Sequence, residues 1–368
     1  MLEPKGKIGV REFIAIIILC VGTKLSDDTP VFLYTHMKSA AWMAPFIIGA
    51  ISCIPIYLII KVLSAYNNKN LADIISHLFG KLFGFIILLC LWIISFTALS
   101  FDSAIYADII SMMYFPKTPM LIIYSLLLVV CAYGAKKGLE QIGSVAWSVL
   151  LWIKLSLLIV VVICFFQGQT AFLFPFFGAG KWEVVKESSL RTSIYSDFLY
   201  LGFIFPYLKS KGDFKKGNWI ALSIITIELS FAIASFLMLF DFAGVRVMNF
   251  PYHETIRYIS LGFLTNIETF FFPFWLLATF VRFTFYLYIN SLLFGNMFKI
   301  KNFEYLIPSM AILCVFIGMI PETPTFTIFN IREQLILIST PVFIFLPCLL
   351  WIAAKIKGDL MNEKAKDS

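Results

Sequence analysis

Charge is what this chain has least of. Asp, Glu, Lys and Arg together make up 14% of its 368 residues, against roughly 25% in a soluble domain. Paired cysteines are also missing: the seven at 20, 53, 90, 131, 164, 314 and 348 all sit in apolar stretches, and none forms a CxxC pair. They read as small buried hydrophobes, which excludes a disulfide scaffold and a cysteine metal site. Only three histidines occur, at 36, 77 and 253, too scattered for a ligand cluster. Gly178-Ala179-Gly180-Lys181 lacks the spacing and strand context of a phosphate loop. No Ser-His-Asp set or carboxylate pair stands out, so no enzyme and no cofactor is expected. Low-complexity linkers and a soluble domain are absent too.

What fills the chain is apolar: 60% hydrophobic and 17% aromatic residues, 40 of them Phe, with mean hydropathy +0.89. No soluble core of this length hides so much apolar surface, so the solvent is lipid. A soluble enzyme and a disordered chain are excluded. The net charge of +7 reads as the positive-inside excess of a membrane protein, not as a nucleic-acid footprint.

A membrane-spanning helix needs about 20 largely apolar residues. Ten segments qualify, at about 8–33, 41–63, 82–113, 119–135, 142–166, 189–208, 217–242, 267–294, 304–320 and 333–354. Together they make one transmembrane domain over 1–368. The first follows Lys5, Lys7 and Arg11 without a small-residue cleavage site, so it is expected to be a retained helix. Residues 255–264 suggest a helix lying in the interface. Of the Lys and Arg residues, 18 fall on the side of the termini, 8 on the other (including Lys117, Arg191 and Arg332), and 3 inside spans. That bias places both termini in the cytoplasm, as an even number of spans requires.

An ionisable group in mid-span costs about 2.5–3.5 kcal/mol on insertion scales and normally faces a cavity or partner. This chain has Lys24, Asp27 and Asp28 in the first span, Asp102 and Asp108 in the third, Lys154 in the fifth, Asp197 in the sixth, Glu228 in the seventh and Arg282 in the eighth. Any one could be a structural ion pair; the set points to a polar pathway or ligand cavity. The first span also carries Gly22-Thr23-Lys24-Leu25-Ser26-Asp27-Asp28-Thr29-Pro30, and the sixth Ser193, Ser196, Asp197, Gly202 and Pro206. Unwound backbone at membrane depth is tolerated only where it lines a cavity or is buried in protein. Breaks five spans apart are what two inverted five-helix repeats produce.

These residues carry a family likeness. Ser100-Phe101-Asp102, Ala107-Asp108 and Thr118-Pro119, then Phe250-Pro251 with Glu268, Pro206 with Lys209 and Lys211, and Pro347 follow one another in a familiar order. The chain resembles the B subunits of spore germinant receptors, the GerAB-type proteins of the amino acid–polyamine–organocation transporter superfamily. The resemblance implies an all-α polytopic membrane protein with a LeuT-like 5+5 inverted repeat and broken helices 1 and 6. It further implies a nutrient sensor in the spore inner membrane, working beside A and C subunits, with a small germinant, an amino acid first, between the two breaks. Expected there are Gly22 and Thr23 holding a carboxylate through backbone N–H groups, Asp102 or Asp197 an amine, Tyr106 and Tyr200 as walls, and Lys24 on the ligand or on Asp197. Lys154, Glu228 and Arg282 are expected as coupling or ion-pair groups. Two departures stand out. Lys24 occupies a glycine position of the family's first-span break, and Leu199–Tyr200 replaces its sixth-span Gly-x-Glu, with Asp197 one turn away. Lys154 parallels the fifth-helix lysine that takes a sodium ion's place in some proton-coupled members of the superfamily. A proton-coupled amino acid transporter, a scaffold with a vestigial pocket and a small-solute channel stay open as alternatives.

Overall fold

A computed structural model describes residues 6–66, 69–259, 267–321, 323 and 326–360. Among these no strand forms, apart from one isolated parallel bridge between Ile8 and Leu208. The chain is helical almost throughout, as its apolar runs predict. Among the described residues six helical stretches are long and apolar enough to cross a membrane, and two apolar helices are shorter.

The first crossing is split. Helix α1 (Val10–Gly22) is buried on nearly every side from Phe13 onward, as befits a central helix that is apolar all round. At Gly22-Thr23 the chain tightens into a 3-10 turn, Thr23–Leu25, and then resumes as α2 (Thr29–Met37), with Pro30 in its first turn. The polar residues of the break satisfy the backbone it exposes. Thr23 Oγ1 donates to the Leu19 carbonyl at 2.9 Å, Ser26 Oγ to the Thr23 carbonyl at 2.7 Å, and the Thr29 N–H to Asp27 Oδ1 at 2.8 Å. These bonds replace the missing helical ladder.

Next come α3 (Ala44–Ala65), α4 (Leu71–Met113), α5 (Met120–Lys136) and α6 (Leu139–Gln167). Gly80, at φ +80°, bends α4. Such a φ suits glycine and few other residues, and it divides a short arm from the membrane crossing. The sixth crossing begins earlier than hydropathy predicts, with α7 (Lys181–Leu190). It continues through the 3-10 turn Thr192–Tyr195, the short α8 (Asp197–Tyr200) and the 3-10 stretch Leu201–Tyr207. The C-terminal half holds α9 (Lys211–Arg246), α10 (Pro251–Tyr258), α11 (Ile267–Phe298), α12 (Ile307–Gly318) and α13 (Glu333–Ile356), the last entered through a π-helical turn, Thr327–Arg332. Where an interfacial helix is expected over 255–264, α10 covers 251–258; residues 260–264 lie outside those described.

The start of the first crossing lies against the end of the sixth: the Ile8 N–H donates to Tyr207 O at 2.9 Å and the Lys209 N–H to Ile8 O at 3.1 Å. Around the central α1 pack α6, α9 and α11. Exposed apolar side chains such as Ile54, Leu126, Leu151, Phe166 and Phe345 cover the outer surfaces. In water that coat would be a liability; in a bilayer it is the solvated face.

Candidate ligand site at the two helix breaks

Five charged side chains from four crossings converge on the first break. Arg282, halfway along α11 and fully buried, donates through Nη2 to Asp102 Oδ2 at 2.7 Å. Its Nη1 reaches Tyr106 Oη at 2.6 Å, Thr23 Oγ1 at 3.2 Å and Asp27 Oδ2 at 3.3 Å. Arg332, the last residue of the π-turn before α13, donates to Asp27 Oδ2 at 2.7 Å, to Asp28 and to Thr29 Oγ1 at 3.2 Å, and its Nε lies 3.3 Å from Asp102 Oδ1. Forked guanidinium groups suit this bridging work, since each can engage two carboxylates at once. Tyr106 fastens the cluster to the break by donating to the Thr23 carbonyl at 2.6 Å. Trp275 Nε1 donates to Ser26 Oγ at 2.8 Å, and its ring stacks on Tyr106.

Beside this cluster a cavity of about 100 Å³ opens between the two breaks. That is room for a small solute, not for a single water. Lys24 and Thr29 come from the first break, Ser193, Ser196, Asp197 and Tyr200 from the second, Asp102 from α4, Tyr286 from α11 and Arg332 from the turn before α13. Ile94, Leu99, Ile289 and Ile336 make its apolar sides. Lys24 crosses from one break to the other: its ammonium is ion-paired with Asp197 and donates to the Ile194 carbonyl at 2.7 Å. Tyr286 Oη donates to the other Asp197 oxygen at 2.5 Å. Tyr200 Oη is held by Leu91 O at 3.1 Å. The cavity therefore presents both signs of charge, each already held by an internal partner.

A smaller cavity of about 40 Å³ lies on another face of the same break. Gly22 and Thr23 line it, together with Lys154 of α6 and Glu228 of α9, whose ammonium and carboxylate lie 2.5 Å apart. A Cβ on Gly22 would come within 3.1 Å of Lys154 Nζ and 3.2 Å of Glu228 Oε1, so glycine is what lets the pair approach the backbone here.

Of the residues singled out in the sequence, Lys24, Asp102, Asp197 and Tyr200 are brought together at the larger cavity. Gly22, Thr23, Lys154 and Glu228 are gathered at the smaller one. Tyr106 and Arg282 line neither; both are buried in the charged cluster. The Thr23 N–H, expected to face a ligand, is engaged inside α1 with Leu19 O. Arg332 and Tyr286 line the larger cavity and are polar side chains that sequence reasoning missed. Arg332 falls one residue before the apolar run of the last span and so counts as a loop charge. A signal was nonetheless present: the intramembrane set holds six carboxylates and only three cations. Asp108 is buried apart from the cluster, with no partner for Oδ2 among the described residues.

Paired discontinuous helices with a charged cavity between them, packed among long apolar helices, define a membrane protein of the LeuT-like transporter fold. The chain superposes on Mhp1, a nucleobase-cation-symport-1 family transporter solved in a closed conformation with bromovinylhydantoin bound, at a TM-score of 0.65 with 14% identity, over 98% of this chain and 93% of that one. That likeness establishes the fold. The chain itself belongs to the spore germination protein family, whose family model matches residues 11–327. It is 25% identical over 316 residues to spore germination protein KB of Bacillus subtilis (strain 168), covering 81% of this chain and 80% of that protein. It is 22% identical over 202 residues to spore germination protein B2 of the same strain, covering 54% of each. The putative spore germination protein YfkT of that strain is 24% identical over 389 residues, with 96% and 97% covered. The likeness to germinant-receptor B subunits read from the sequence is thus borne out at the level of the family.

Proposed function

We propose that this chain is the membrane B subunit of a nutrient germinant receptor and that it binds a small zwitterionic germinant, an amino acid first of all, in the cavity between its two helix breaks. The observation that carries this reading is the cavity itself. Lys24 and Arg332 offer cations to a carboxylate, and Asp197 and Asp102 offer carboxylates to an amine, around a volume of about 100 Å³. Each of these groups sits in an internal pair that a ligand of matching charges exchanges for its own. With Thr23 N–H committed to α1, the ligand carboxylate falls to side chains, not to the backbone of the first break. Exchange of the Lys24–Asp197 contact acts on both broken helices together, and so biases a two-state movement between them. An A and a C subunit in the spore inner membrane are the partners that this role calls for.

A thermal-shift panel of the twenty amino acids, simple sugars and inosine on the purified protein tests the proposal. A ligand at about 100 times its dissociation constant stabilises by roughly 2.7 kcal/mol. A shift with one or a few amino acids, lost in Asp197→Asn, is expected. Folded protein that responds to no amino acid overturns the reading. The Lys154–Glu228 pair, 2.5 Å apart against Gly22, favours a second one: a proton-coupled amino acid transporter in which the Lys154 ammonium stands where a sodium ion otherwise would. Uptake of the shifting amino acid by proteoliposomes of this chain alone distinguishes transport from sensing.

A further inference from the structure

A recess that shares no lining residue with the two central cavities lies where α4 bends at Gly80 and meets the end of α11. It measures about 700 Å³. Its rim carries Lys81, Lys299 and Lys301, all exposed, and among the described residues none of the three has an ion-pair partner. Asn296, on its wall, has a buried Nδ2 with no acceptor among the described residues. Among the described residues Asp73 is the single carboxylate lining it, and His77 is turned to Asp359 of the C-terminal segment, 3.3 Å away. The recess thus has a surplus of donors and positive charge. The bend at Gly80 and the positive φ of Lys299 (57°) carry its two walls around the corner. Just beyond the rim the surface changes character: Leu82 and Phe83 follow Lys81 on one wall and are 69% and 66% exposed, and Phe298 on the other is 50% exposed. Phe85 and Phe298 meet edge to face at 5.7 Å where the two walls join.

We propose that this recess binds the headgroup of an anionic phospholipid. The phosphodiester oxygens accept from the three ammonium groups, while the acyl chains run along Leu82, Phe83 and Phe298. A soluble anion accounts for the lysines but not for their junction with the lipid-facing surface of Leu82, Phe83 and Phe298. A basic pocket between membrane helices, on the side with the excess of Lys and Arg, is where an anionic leaflet surface supplies such headgroups. The inference is independent of what the central cavity binds.

The test uses the full chain, purified and delipidated in detergent, titrated with phosphatidylglycerol, phosphatidylcholine or inorganic phosphate, and read by native mass spectrometry and thermal unfolding. Phosphatidylglycerol is expected to bind and raise the unfolding temperature, with phosphatidylcholine and phosphate inert. Each lysine contributes about fivefold in affinity, so the triple variant K81Q/K299Q/K301Q loses on the order of 100-fold. A control triple variant on the same side of the membrane, K209Q/K215Q/K216Q, keeps wild-type affinity. All six lysines are exposed, so both variants fold. Equal losses in the two variants, or binding of phosphatidylcholine as strong as that of phosphatidylglycerol, overturn the site. Inorganic phosphate binding as tightly as phosphatidylglycerol overturns the lipid and leaves a soluble-anion pocket.

Discussion

At the first helix break three carboxylates, Asp27, Asp28 and Asp102, share two guanidinium groups, Arg282 and Arg332. Such a cluster is stable only as a set, because removing one partner of a buried pair leaves an uncompensated charge worth about 3–5 kcal/mol. Arg332→Gln leaves three acids facing one cation, and a loss of that order is expected in thermal unfolding of the detergent-solubilised protein. The double variant R332Q/D28N should recover a large part of it. Asp28 has Arg332 as its one salt-bridge partner among the described residues, and its other oxygen has none. Equal stability of the single and double variants would mean that Asp28 is already uncharged. Arg282→Lys is a second test at this scale. One ammonium cannot reach Asp102, Asp27, Tyr106 and Thr23 together as the guanidinium does, so the lysine variant is expected to unfold below wild type despite its retained charge.

The helices owe their positions to two kinds of contact, close approach at glycine and polar ties between broken ends. At Gly217 of α9 an added Cβ would fall 2.3 Å from a ring carbon of Phe13 in α1. Small residues allow such approach between membrane helices. Gly217→Ala is therefore expected to cost about 1–3 kcal/mol through overpacking, and Phe13→Leu in the same chain should restore part of it. Thermal unfolding of the two variants checks both signs. A different tie joins the three elements that flank the breaks on the side opposite the termini. His36 of α2 lies 2.9 Å from Glu333 of α13, and Arg191, just after α7, lies 2.9 Å from that same Glu333 and pairs with Glu187. Glu333→Gln removes the shared acceptor charge, so hydrogen exchange in 29–37 and 181–190 is expected to rise several-fold. Unchanged exchange would show that apolar packing alone holds these helices. The breaks themselves were legible because Gly, Ser, Thr and Pro mark them in the sequence. The start of α7 was not. Lys181, Glu183, Lys186 and Glu187 make it read as a loop, since hydropathy does not register that Lys186 pairs with Glu183 and Glu187, and Glu187 with Arg191.

Across the whole molecule, the all-helical, membrane-embedded architecture was readable because apolar length is a property of each segment alone. Which charges pair was not readable, because that depends on which faces of the first, third, eighth and tenth crossings meet. Arg332 and Arg191 carry this lesson further. Both count with the eight Lys and Arg opposite the termini, yet both are buried in ion pairs inside the protein. The positive-inside asymmetry is set by charges that stay in water beside the membrane, so discounting these two makes the bias sharper than the sequence tally. The expected topology places the loop with Lys137 in the cytoplasm and the loop with Lys117 across the membrane. Single cysteines at these exposed positions supply the test in intact cells. A membrane-impermeant maleimide should label Lys117→Cys without lysis and Lys137→Cys only after it. The native cysteines raise little background, because four are fully buried and all lie in apolar segments. The opposite labelling pattern would place the basic face, and with it the lysine-rimmed recess between α4 and α11, against the other leaflet. The orientation would then be set by something other than the distribution of Lys and Arg.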